Sequence, residues 1–130
     1  MKKAIVFDLD WTLCKESATR PEEYTGSEEA IDCMYSLYLW YSGYSRIIIT
    51  GRKERHRATT ELWLKNNAYQ FDTLIMNDDG VGKKNHILKR EKLIELQKEY
   101  DIELMIDNNP DIAPVCAELG INFMLFTAKK

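Results

Sequence analysis

Residues 4–7, Ala-Ile-Val-Phe, run without a break into Asp8, and a second aspartate, Asp10, follows after a single leucine. An apolar run of this length that ends in charge is the pattern of a strand buried on both faces. Two carboxylates one residue apart at its end repel each other, so the fold must either turn them to water or supply a cation. Trp11 and Thr12 come next, and the stretch from 13 to 26 is polar, with Pro21 and Gly26.

The strand signal recurs four times, separated by helical periodicity. Residues 46–50 (Arg-Ile-Ile-Ile-Thr), 71–76, 103–107 and 121–126 read as strands. Ser27 with Glu28 and Glu29 marks a helix start, since acids suit the positive end of the helix dipole. Ile31, Met34, Tyr35, Leu37, Tyr38 and Tyr41 then fall at helical spacing, and Gly43 ends the run. Gly51 is expected to turn the second strand into a helix from about Lys53 to Asn67, with Ala58, Leu62 and Trp63 facing inward. Two more helices are expected over 85–100 and 110–120, the second opened by Pro110. Strands alternating with helices give a Rossmann-like α/β fold: a five-stranded parallel sheet, expected order 5-4-1-2-3, with helices on both faces. All 130 residues read as one domain. Residues 13–26 form a loop or small hairpin, too short for a covering domain, so the site should be open.

Composition narrows the class. The 45% hydrophobic and 30% charged fractions are those of a globular chain. No apolar run approaches the roughly 20 residues needed to span a bilayer, and the N-terminal apolar stretch is too short for a signal peptide. Cys14, Cys33 and Cys116 are scattered and odd in number, which reads as reduced thiols in a cytoplasmic protein. A net charge of −3 argues against wholesale coating of nucleic acid and leaves room for a local basic patch.

In such folds the ligand site lies beyond the carboxyl ends of the strands. Here those ends carry Asp8 and Asp10, then Thr50-Gly51-Arg52, then Asp107. Three carboxylates around one point call for a divalent cation, and oxygen-only ligands select a hard one such as Mg²⁺. Thr50 adds a hydroxyl, the Gly51 amide is expected to lie open at a helix start, and Lys89 brings an ammonium. A cation and several donors around one carboxylate suit a phosphoryl group attacked by an aspartate. The second aspartate is placed to protonate the leaving oxygen and later activate water.

Phe7-Asp8-Leu9-Asp10-Trp11-Thr12, Ile49-Thr50-Gly51-Arg52, Lys89 and Ile106-Asp107-Asn108-Asn109-Pro110-Asp111 resemble, in order and context, the four motifs of the haloacid dehalogenase superfamily of phosphatases. The resemblance covers essentially the whole chain. It is closest to the 3′-phosphatase domain of phage polynucleotide kinases, where a Thr-x-x-Trp-Leu pattern is also found, here Thr60 to Leu64. The resemblance implies that Asp8 is nucleophile and Mg²⁺ ligand. Asp10 would be general acid and base, with its backbone carbonyl on the metal. Thr50 and Lys89 would hold phosphoryl oxygens, Asp107 would complete the protein's metal ligands, and Asp111 would support Lys89 or a metal-bound water. Trp11, Thr12, Gly51, Arg52, Arg55 and Arg57 stand as substrate contacts. Two departures are visible: Trp11 replaces a glycine, and Asn108 replaces the second acid of an Asp-Asp pair.

Each of these residues also has a plainer reading. Asp111 can serve the helix dipole, Lys89 can face water, and the run Arg52 to Arg57 can be a solvated helix face. Trp11 stacks on a base or covers the flap. Tyr35, Tyr38, Trp40 and Tyr41 fit helix packing or a contact between copies of the chain in a homo-oligomer. Taken together, the sequence predicts a Mg²⁺-dependent phosphomonoesterase acting on a nucleic-acid 3′-phosphate end. The alternatives are a phosphatase of nucleotides or other small esters and a silent binding domain, against which the intact pair Asp8 and Asp10 argues. A receiver domain is disfavoured because the middle strand ends in Met76-Asn77.

Overall fold

The structure, a computed structural model, describes residues 1–15 and 24–129. Its sheet is built from β1 (Lys2–Phe7), β2 (Ser45–Lys53), β3 (Thr73–Asn77), β4 (Tyr100–Asp107) and β5 (Asn122–Leu125). All pairings are parallel, and the order is β3-β2-β1-β4-β5. This is the order expected from the sequence, read from the other edge. Four helices connect the strands: α1 (Asp32–Trp40), α2 (Arg57–Asn66), α3 (Asn85–Leu96) and α4 (Ile112–Leu119).

The alternation of β1 explains both apolar layers. Ile5 and Phe7 enter one layer with Met34, Tyr38, Trp63 and Leu64 of α1 and α2. Ala4 and Val6 enter the other with Leu93, Ile112, Val115 and Cys116 of α3 and α4. Each fully buried large apolar side chain contributes about 1.5–3 kcal/mol relative to exposure, so β1 is held from both faces and its end is a rigid platform. α4 stops at Gly120, whose φ of 72° is the left-handed conformation that a glycine adopts without cost.

Several expected boundaries move. α1 begins at Asp32, not near Ser27. Residues 28–31 instead run beside the segment after β1: Lys15 donates to the Glu29 carbonyl (2.7 Å) and Ile31 to that of Leu13 (2.9 Å). The loop or hairpin expected over 13–26 thus shows its two described ends, while residues 16–23 lie outside the described residues. β2 does not turn at Gly51. It continues to Lys53, which pairs with Asn77 of β3 after a register shift, and a 3-10 turn (Glu54–His56) precedes α2. With α2 starting at Arg57, its buried side chains are Thr60, Trp63 and Leu64, whereas Leu62 is 54% exposed and Ala58 also faces out. β3 starts at Thr73, later than expected. α3 stops at Leu96, since Tyr100 already pairs with Lys2 of β1. Among the described residues no helix is long and apolar enough to cross a membrane. Cys14, Cys33 and Cys116 are free thiols.

Candidate active site

At the carboxyl end of β1 the backbone tightens into a turn. The Leu9 carbonyl accepts from the amides of Thr12 (3.1 Å), Leu13 (2.8 Å) and Cys14 (3.3 Å). This turn returns Thr12 to Asp8, and its hydroxyl donates to Asp8 Oδ2 at 3.1 Å. Lys89, on the second turn of α3, reaches the same place from behind the sheet. Its Nζ donates to Asp8 Oδ1 (2.8 Å) and to Asp107 Oδ2 (2.6 Å), with Lys89 and Asp107 wholly buried. Asn108 faces both carboxylates, so its amide nitrogen turns inward and donates to Asp8 Oδ2 (2.9 Å) and Asp107 Oδ1 (3.2 Å).

Electrostatics follow from this burial. Desolvation, with Asp107 adding to it, pushes the Asp8 carboxyl up to about 6 against the opposing pull of Lys89. For Lys89, burial alone would lower the ammonium's pKa, but Asp8 and Asp107 outweigh it and hold the group above the ordinary lysine value. In this arrangement the charge of Asp8 is balanced by a buried lysine.

Asp10 does not join that cluster. The sequence predicts three carboxylates around one point, but Arg52 draws the Asp10 carboxylate away. The guanidinium donates from Nε to Asp10 Oδ2 (3.0 Å) and from Nη2 to Oδ1 (2.6 Å), a two-pronged contact. Its Nη1 donates to the Thr60 hydroxyl (3.1 Å), and its plane lies over Tyr24, Cζ 3.8 Å from the ring centroid. Glu28 lies buried 3.8 Å from Arg52 Nη2, with neither carboxylate oxygen hydrogen-bonded. Arg52 is 4% exposed and spent on holding Asp10, even though it lines the cleft.

An open cleft of about 210 Å³ lies over the site, lined by Asp8, Asp10, Trp11, Tyr24, Thr50, Gly51, Arg52, Asn85 and Asn108. Thr50 is buried and accepts from the Arg52 amide at 3.1 Å, which leaves its hydroxyl hydrogen to donate elsewhere. Gly51 is extended, in β2 and not at a helix start. A β-carbon there would stand 3.3 Å from Asn85 Oδ1, so the glycine keeps that wall open.

The remaining expected site residues are not gathered here. Asp111 is exposed at the start of α4, its amide donating to Asn109 Oδ1 (3.0 Å). Arg57 is committed to Glu54 (2.7 and 2.9 Å), Glu61 (3.2 Å) and the Leu74 carbonyl (3.0 Å). Arg55 is exposed and packs its amide on Asp79. Neither arginine lines the cleft. Sequence reasoning missed Glu28, Tyr24, Thr60 and Asn85. Two of them carried a signal: Asn85 stands four residues before Lys89 on the same helix face, and Thr60 opens the Thr-x-x-Trp-Leu pattern.

Residues 2–126 match the family model of the polynucleotide kinase PNKP phosphatase domain. The chain belongs to this family. It is therefore a phosphatase domain of the haloacid dehalogenase type. Among solved structures, one of a Pnkp1/Rnl/Hen1 complex contains a chain similar to this one, with TM-score 0.90 and 24% identity over 100% of this chain. One of the Pnkp1/Rnl/Hen1 RNA repair complex gives TM-score 0.87 and 24% identity over 96%. The PNKP-type domain spans 47% and 42% of those two chains, less than half of each. At this identity they establish its fold. No curated protein matches the chain.

The donor set also bears on Mg²⁺. Among the described residues no group of three or more His, Cys, Asp or Glu side chains converges to hold a metal. The oxygens that do face one another are those of Asp8 and Asp107, bridged by the Asn108 amide at 2.9 and 3.2 Å. Turned over, that amide would present a third oxygen between two carboxylates, and the donors would suit a hard cation.

Proposed function

We propose that this domain is a Mg²⁺-dependent phosphomonoesterase that works through an aspartyl-phosphate and removes the 3′-phosphate from a nucleic-acid end. The observation that carries the chemistry is the division of labour between the two aspartates: Asp8 sits against Lys89, while Arg52 holds Asp10 apart at 2.6–3.0 Å. The family's polynucleotide phosphatase character supports the substrate class.

In the first step an Asp8 oxygen forms a bond to phosphorus as the bond to the leaving oxygen breaks, and Asp10 gives that oxygen its proton. In the second step Asp10 takes a proton from water, which attacks phosphorus and releases phosphate and the Asp8 carboxylate. Thr50 is placed to donate to a phosphoryl oxygen, and Lys89 fixes Asp8 from behind. Mg²⁺, when bound, would supply charge neutralisation at the phosphoryl oxygens. Asp8, Asp107, the Asp10 carbonyl and a rotated Asn108 amide would hold it; Asp111 would act only at a distance, from α4.

One observation favours a second reading, a phosphatase of small esters: Arg55 and Arg57, expected to track a phosphate backbone, lie off the cleft, and Arg57 is neutralised by Glu54 and Glu61. The decisive experiment offers labelled 3′-phosphorylated oligonucleotide with Mg²⁺ and quenches in acid. Radiolabel should stay covalently on the parent protein and be absent from Asp8→Asn. Chelation should abolish release of phosphate. Turnover of the oligonucleotide without any trapped label would overturn the mechanism, and turnover of small esters alone would overturn the substrate.

A further inference from the structure

Trp11 holds a backbone conformation that its side chain disfavours. Its φ is 62°, in the left-handed region, where a residue with a β-carbon costs roughly 1–2 kcal/mol. The turn after β1 imposes it: the Trp11 amide donates to the Cys14 carbonyl at 2.6 Å while Leu9 gathers the next three amides. A glycine would fit this position without strain; the indole instead packs in part against the core layer of Phe7 and Tyr38 and leaves the rest of its ring lining the surface beside Asp8.

The indole also borders two clefts. Trp11 and Asn108 line the cleft over Asp8, and both also line a second cleft of about 190 Å³ completed by Phe126, Thr127 and Ala128. The two are therefore adjacent, with Trp11 and Asn108 common to both. Among the described residues no ionisable side chain lines the second cleft, so they build no phosphate subsite there. It offers two aromatic rings and a methyl group, with one amide and one hydroxyl at its edge. Its volume lies below the ~300–1,000 Å³ of pockets that enclose a drug-sized molecule. That suits one planar ring system.

We propose that the Trp11–Phe126 cleft receives the base of the terminal nucleotide, stacked on the indole, while its 3′-phosphate lies over Asp8. The assignment rests on the 3′-phosphatase reading and adds where the nucleoside binds. Because every base has a π-face, the stacking is tolerant of base identity.

The test compares a 3′-phosphorylated dinucleotide bearing its terminal base with the same molecule abasic at that sugar. The parent protein should show kcat/KM for the base-bearing substrate on the order of 10-fold higher or more, as expected for a stacked base. Trp11→Leu should bring that ratio near one, and Trp11→Phe, which keeps a ring, should retain most of it. If Trp11→Leu does not fold, Phe126→Leu should lower the same ratio. A parent ratio of one, or a ratio that survives Trp11→Leu, overturns the subsite and leaves the 3′-phosphatase standing. A parent that hydrolyses neither dinucleotide yet cleaves other phosphate esters overturns the 3′-end reading, and the subsite with it.

Discussion

Asp8 and Lys89 predict opposite effects on stability although both variants should be inactive. With Asp107, they make a buried cluster of two negative charges and one positive, linked at 2.6 and 2.8 Å. Asp8→Asn leaves one charge of each sign and removes the carboxylate that burial and Asp107 disfavour. In metal-free protein its Tm should equal or exceed that of the parent. Lys89→Met strands two buried carboxylates, a change that typically costs about 3–5 kcal/mol when one partner of a buried pair is lost. Calorimetry on both in chelator checks the signs, and a Lys89→Met protein as stable as the parent would refute the account of the cluster. Asp8 and Asp107 stood out in the sequence because a short carboxylate at the end of an apolar strand has few uses. The partner of each was not. Nothing in the spacing told that Asp10 would face Arg52 instead of Asp8, because that choice depends on how far β2 runs.

At the scale of elements, β2 decides the character of Asp10. By continuing through Gly51 to Lys53 it carries Arg52 to the rim in an extended segment, where the guanidinium grips Asp10, Thr60 of α2 and the Tyr24 ring together. Arg52 is thus a positioning residue. Arg52→Lys keeps the charge but loses the planar fork. Turnover of a 3′-nucleoside phosphate, whose poor leaving group Asp10 protonates in the proposed mechanism, should fall on the order of 10²-fold, the scale of a misplaced catalytic group. Nitrophenyl phosphate, which needs little protonation, should lose far less. Equal losses on both substrates would assign Arg52 to phosphate binding instead. The same elements show why boundaries were misread. Ser27-Glu28-Glu29 has the local chemistry of a helix start, yet Trp63 Nε1 donates to the Glu28 carbonyl (2.7 Å) and strand-like pairing holds residues 29–31. Tertiary partners overrode a correct local signal. The aromatic run divides likewise: Tyr38 is buried, donating to the Gln70 carbonyl and packed on Phe7, while Trp40 is 81% exposed.

For the whole molecule, the question is how far a polymeric substrate is felt beyond the reacting phosphate. The chain carries −3 overall, which repels a polyanion at long range. The basic run that would counter this is largely spent: Arg52 on Asp10, Lys53 on the Gly80 carbonyl, and Arg57 on Glu54 and Glu61. Arg55, exposed and beyond the cleft, donates from Nε to His56 Nε2 at 3.3 Å and, among the described residues, is the guanidinium of the run that no carboxylate holds. Each phosphate contact on a single strand changes log affinity with log salt by about −0.7. The kcat/KM of a 3′-phosphorylated oligonucleotide should therefore fall with salt more steeply than that of a 3′-mononucleotide, but by roughly one such contact and no more. Arg55→Ala should remove most of the difference. Arg57→Ala should leave it in place and lower Tm instead, since its two helical ion pairs are each worth about 0.3–0.5 kcal/mol and its carbonyl bond ties α2 to β3. Parallel salt titrations of both substrates with both variants separate these outcomes. A difference of several contacts would mean that a wider basic surface, beyond the run around Arg52, holds the strand. Identical slopes in the parent protein would instead leave the cleft over Asp8 to small esters, with the backbone of a polymer never touching the domain.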